Sequence, residues 1–140
     1  MTQQLFVYGS LRSGFRNPAY EYLTRYFTLV GEAMVNGKLY DNGSYPVAIS
    51  SNNEHDFING ELYAIKNEGE FSWAIEQLDD YEGLNVEADE QIMYKRERVQ
   101  VYLQNHTTAA WIYWYNGDVM GMADVPSGDL LQYLQQKNNP

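Results

Sequence analysis

The sequence predicts an α+β domain, mostly strand, with one central amphipathic helix and a sheet that curls towards a barrel. Three observations predict it. Six runs read as strands, at Leu5–Tyr8, Thr28–Tyr40, Tyr45–Ile49, Phe57–Ile65, Ile92–Leu103 and Ala109–Tyr115, most of them alternating or rich in β-branched and aromatic residues. A convincing helical repeat occurs between about Gly69 and Tyr81. Aromatic residues make up 15% of the chain, with thirteen Tyr and three Trp, a β-leaning and folded composition.

The elements follow in chain order. Leu5-Phe6-Val7-Tyr8 is an apolar strand that stops at Gly9-Ser10-Leu11, where glycine permits a tight turn. Consecutive backbone N–H groups in such a turn make a small concavity for an anion. Pro18 to Arg25 reads as a short helix with Pro in its first turn. Asp41-Asn42-Gly43 is a strong turn signal between two strands, and Asn116-Gly117 closes the last long one. Phe71, Ile75 and Leu78 recur at i, i+4 and i+7, the stripe of a helix packed on one side. Pro126-Ser127-Gly128 precedes a short C-terminal helix from Asp129 to Gln136. With no internal repeat, low-complexity tract or linker, the 140 residues read as a single domain, 1–140.

Composition excludes several function classes. Cysteine is absent, which removes disulfides, thiolate metal sites and a cysteine nucleophile together. The two histidines, His55 and His106, fall at loop positions without ligand-spaced partners and read as solvated. Glu87, Asp89 and Glu90 make a polar loop without a calcium-loop signature, so no metal site is expected. A net charge of −10 argues against nucleic acid or an anionic membrane as partner. No apolar run approaches the ~20 residues that span a bilayer, and the first residues lack a secretory pattern. The expected location is the cytoplasm, and the sequence leaves the oligomeric state open.

One carboxylate stands out. Extending the apolar series Phe71, Ile75, Leu78 by one step lands on Glu82, and Leu78 and Glu82 both fall within roughly 20° of the Phe71 direction around the helix axis. Asp80 points to the opposite side, and Gly83 follows as a natural helix-ending residue. A glutamate on the packed face loses hydration and sits beside the negative end of the helix dipole. Both effects favour its protonated form, as a general base working near neutral pH requires.

The turn at Tyr8-Gly9-Ser10-Leu11 and the segment Leu78-Asp79-Asp80-Tyr81-Glu82-Gly83 together resemble the gamma-glutamylcyclotransferase-like family. Gly37 to Pro46, Ile58-Asn59-Gly60-Glu61-Leu62-Tyr63, Tyr94 to Val101 and Ala110-Trp111-Ile112-Tyr113 match its other segments in the same order. The resemblance implies a small mixed β-barrel with flanking helices and a cavity at the barrel mouth. It implies an enzyme that acts on γ-glutamyl amines, amides or peptides and releases 5-oxoproline, without a cofactor. The family's catalytic glutamate falls on Glu82, and its substrate-binding loop on Tyr8, Gly9, Ser10 and Leu11.

That chemistry suits a chain with no thiol or ligand cluster. The substrate's own α-amino group is the nucleophile, and holding it against the γ-carbonyl supplies a large effective molarity. Ser10 lacks a nucleophile elbow and reads as a turn hydroxyl. Tyr94 is a candidate cavity residue, and Arg96, on the same strand face, reads as structural. Arg12 and Arg16 lie just past the turn; Arg16 reads as solvated, and Arg12 is balanced between solvent and a substrate carboxylate. Trp111 and Trp114 read as core. A different reading keeps the pocket but not the turnover: a binding or regulatory module for a small carboxylate. The residues 85–91 and the Arg12 to Asn17 loop are expected to set the leaving group, which the sequence does not reveal.

Overall fold

A computed structural model describes residues 3–8, 18–41, 46–51, 53, 55–82, 94–115, 117, 119–125 and 128. Within them the order is β1 (Gln4–Val7), α1 (Pro18–Tyr26), β2 (Phe27–Asp41), β3 (Pro46–Ser50), β4 (Phe57–Ile65), a 3₁₀ turn (Glu68–Glu70), α2 (Phe71–Glu82), β5 (Tyr94–Tyr102), β6 (Thr107–Tyr115) and β7 (Ala123–Asp124). Five strands close a mixed barrel in the order β2-β4-β1-β6-β5, and β5 returns to β2 through Met34 and Tyr102. The β1–β6 pair is parallel, with Leu5 opposite Trp111, and the other ring pairs are antiparallel.

Strand β2 serves two structures. Its first ten residues pair with β4, with a register shift between Leu29 and Gly31. From Gly37 to Asp41 it pairs instead with β3, and Tyr40 and Asp41 also meet β7. Its alternation into the core begins at Ala33 and continues through Val35 and Leu39.

Period-two alternation sorts each ring strand between two apolar clusters. Phe6, Tyr8, Val35, Ile58, Leu62, Ile112 and Trp114 fill the barrel interior. Leu5, Val7, Tyr63, Ile65 and Tyr113 point the other way, against Leu23 of α1 and Ala74, Ile75 and Leu78 of α2. The stripe read from the sequence is therefore the buried face of α2. Gly60 lies where β4 crosses β1, and a methyl there would strike the Val7 carbonyl and the Phe6 ring. Gly128 adopts φ +68°, and its carbonyl accepts a hydrogen bond from Asn59 N–H at 2.7 Å.

Most predicted elements agree with the observed ones to within two residues. Strand β6 starts at Thr107, earlier than expected, because Thr107 and Thr108 continue the ladder opposite Tyr102 and Val101. The described part of β5 begins at Tyr94. Helix α2 begins at Phe71, since Glu68–Glu70 tighten into a 3₁₀ turn capped by the Asn67 side chain. The predicted C-terminal helix, Asp129 to Gln136, lies outside the described residues. No helix among the described residues is long and apolar enough to cross a membrane.

Candidate active site

Helix α2 is pinned to the strand it covers. The end of β4 and the turn after it dock beside the start of β1: Ile65 N–H donates to the Gln3 carbonyl at 3.0 Å, and Gln3 N–H donates to Glu68 Oε1 at 2.9 Å. From there α2 lies on the outer face of β1 and β4, with Phe71 edge-on to Phe27 and Leu78 in the cluster that holds Val7. Twelve helical residues rise about 18 Å. The five steps from Gln3 to Tyr8 cover about 17 Å. Glu82 is the last residue of α2, one turn beyond the buried Leu78.

Tyr8 is the first residue past β1. Its ring belongs to the barrel interior, 7% exposed, and its hydroxyl donates to the Tyr113 carbonyl at 2.6 Å. This bond ties the exit of β1 to β6 immediately before the predicted turn. Gly9, Ser10 and Leu11 lie outside the described residues, as do Arg12, Arg16 and the segment 83–93. For Glu82 and Tyr94 the backbone is described and the side chain is not; Tyr94 opens β5 opposite Tyr115.

The remaining sequence candidates resolve as follows. Arg96 stacks its guanidinium 4.7 Å from the centroid of the Trp111 ring, with Arg98 at 5.6 Å, a structural arrangement on the outer wall. Trp114 is fully buried in the interior, and Trp111 is half-buried. His55 and His106 are exposed. Among the described residues no group of three or more His, Asp or Glu is arranged to hold a metal ion.

A family model described as Gamma-glutamyl cyclotransferase, AIG2-like matches residues 5–132, nearly the whole barrel and both helices. The chain belongs to that family. It is a gamma-glutamylcyclotransferase-like enzyme. It is 30% identical over 115 residues to the Gamma-L-glutamyl-butirosin B gamma-glutamyl cyclotransferase of Niallia circulans, covering 81% of this chain and 67% of that one. Protein ytfP from Escherichia coli, solved by solution NMR, superposes with a TM-score of 0.62 at 30% identity, covering 94% of this chain and 98% of ytfP. The crystal structure of YkqA from Bacillus subtilis matches all of this chain with a TM-score of 0.74. At 23% identity that likeness is one of fold, and this chain spans 44% of YkqA.

In this cyclotransferase-family barrel the structure adds one residue that the sequence did not single out. Glu61 sits in the middle of β4, opposite Val7 on one side and Glu32 on the other. It is 7% exposed, the only buried charged side chain among the described residues. The Tyr63 hydroxyl, two residues along the same face, donates to Glu61 Oε1 at 3.2 Å. The signal was available: a lone carboxylate in a strand that is apolar on both faces, Ile58 and Leu62 inward and Tyr63 and Ile65 outward.

Proposed function

We propose that this protein is a gamma-glutamylcyclotransferase that releases 5-oxoproline from a γ-glutamyl amine, amide or peptide, with Glu82 as general acid and base. The observation that carries this reading is the seating of α2 on β1. Leu78, one helical turn before Glu82, shares a cluster with Val7, two residues before Gly9. A helix that starts beside Gln3 and shares the Val7 cluster at Leu78 supports an end of α2 near the end of β1.

In the proposed reaction the substrate's α-ammonium gives a proton to the Glu82 carboxylate. The freed amine attacks the γ-carbonyl carbon, forming the ring C–N bond and a tetrahedral oxyanion. Backbone N–H groups of Gly9, Ser10 and Leu11 receive the oxyanion or the substrate's α-carboxylate. Collapse breaks the bond to the leaving amine, which takes the proton back from Glu82. The ring nitrogen then gives its second proton to the freed carboxylate, which passes it on to the departing amine, so that a neutral lactam and an ammonium leave. Tyr8 contributes by anchoring the turn to β6, its hydroxyl donating to the Tyr113 carbonyl. The resemblance makes Tyr94, at the start of β5, a further candidate to line the substrate cavity.

The test is a panel of γ-glutamyl compounds assayed for 5-oxoproline, with Glu82→Gln as the blank. Release by the wild type and its loss in a folded variant supports the reading. A flat panel from a folded wild type that still binds γ-glutamyl ligands favours the binding module instead.

A further inference from the structure

We propose that Glu61 is a substrate-binding residue whose carboxylate recognises the α-ammonium of the γ-glutamyl group. This inference rests on the reaction proposed above and concerns a residue that the reaction, as written, leaves without a task.

A carboxylate on the covered side of β4 is expensive. Burying a charge costs several kcal/mol unless it is paired and hydrogen-bonded. The positions that share its strand face, Tyr63 and Ile65, pack in the apolar layer beneath the helices. An aliphatic side chain at 61 would suit that layer better, and such a breach of local pattern marks a functional position. The Tyr63 hydroxyl holds one carboxylate oxygen at 3.2 Å, and Glu61 has further interactions besides. The group is thereby kept in one orientation.

Its place in the barrel fits the role. Glu61 is the register partner of Val7, so it stands beside the last residues of β1 before Tyr8 and the Gly9–Leu11 segment. It faces the same side as Val7, the side covered by α2, whose last residue is Glu82. A γ-glutamyl group carries one cation, the α-ammonium, and one anion, the α-carboxylate. A cyclising enzyme has to fix the first while the turn receives the second. The two carboxylates divide that work: Glu61 orients the amine, and Glu82 moves the proton. Glu32, the other register partner of Glu61, is exposed and serves as the control carboxylate.

The experiment compares γ-L-glutamyl-L-alanine with glutaryl-L-alanine, which lacks only the α-amino group. Binding is measured calorimetrically in the Glu82→Gln background, where turnover is blocked. The parent variant is expected to prefer the amino compound by on the order of ten- to a hundred-fold, the range for a hydrogen bond to a charged group. Adding Glu61→Gln is expected to bring the two affinities within about three-fold by weakening only the amino compound. Tyr63→Phe is expected to lower the ratio partway, and Glu32→Gln to leave it alone.

An unchanged ratio in a folded Glu61→Gln variant overturns the proposal, as does a parent that shows no preference. If Glu61→Gln does not fold, the Tyr63→Phe ratio decides alone, and a ratio equal to the parent's overturns it. A wild type that releases 5-oxoproline while Glu61→Gln keeps the parent preference removes only the Glu61 assignment. A wild type that releases none from any γ-glutamyl compound removes the cyclotransferase reading itself.

Discussion

The interior of the barrel and the layer between barrel and helices are built from alternate residues of the same strands, yet they do different work. In β1, Phe6 and Tyr8 turn inward while Leu5 and Val7 turn towards α2. The inner cluster is walled by paired strands on all sides and holds no charged residue among those described. The outer layer is closed by helices, and it contains Glu61 and leads to Glu82. A wall of ladder hydrogen bonds gives rigidity. A helix laid on that wall brings a side chain at its end to the strand end without opening the barrel. Stability concentrates inside, and chemistry is expected along the seam.

The largest effect that would sharpen this contrast is catalytic. Glu82→Gln is expected to lower kcat on a confirmed substrate by roughly 10²- to 10⁴-fold, the range for a general acid–base group. Its urea midpoint should match the wild type; a large loss of stability would move Glu82 from the chemistry to the scaffold.

Next come two leucines of equal burial. Leu62→Ala, inside the barrel, is expected to cost about 4 kcal/mol, because the closed wall cannot collapse onto the void. Leu78→Ala, in the seam, is expected to cost about 2–3 kcal/mol, since α2 can settle towards the sheet. Denaturant titration of both variants checks the order, and the reverse order would break the comparison.

A smaller effect is expected at the strand exit. Tyr8→Phe loses the bond to the Tyr113 carbonyl and about 1 kcal/mol. Because that bond anchors the turn, KM should rise more than kcat falls; equal KM values would confine Tyr8 to packing.

The smallest effect lies at the helix pair. Burial pushes the Tyr22 phenol up to about 12, the neighbouring Tyr26 adds to the shift, and Arg25 opposes it. The folded state therefore holds the phenol proton after the unfolded chain has lost it near pH 10. Stability from this group is complete below pH 10 and is lost as pH rises from 10 towards 12. Thermal melts across that window should fall more steeply for the wild type than for Tyr22→Phe, which also lacks the 3.4 Å contact with the Ala74 carbonyl.

Strong local patterns were legible in the sequence. Alternation located the ring strands, and the Phe71-Ile75-Leu78 stripe fixed which face of α2 is buried. Strand β7 left no trace, because two residues paired with Tyr40 and Asp41 are too short to alternate. The division of β2 between β4 and β3 was also hidden, since it depends on where the partners end. The resemblance put Tyr8 in the substrate-binding loop, and the structure buries its ring in the barrel core. Glu61 was overlooked because its burial is set by a helix that arrives later in the chain. The turn at Gly9–Leu11 and the Glu82 side chain remain readings of the sequence and the family.

The parallel contact between Leu5 and Trp111 carries a cost in time. As the chain emerges from the ribosome, β1 can dock on β4 early, but the ring stays open until residues about a hundred positions downstream have been made. Joining strands so far apart along the chain is slow, because a long loop must be ordered before any contact repays it. The Tyr8 hydroxyl finds its acceptor in that same last step. Strand β6 must therefore be synthesised before the entrance to the barrel is set, and a chain halted short of it would hold a sheet with two bare edges.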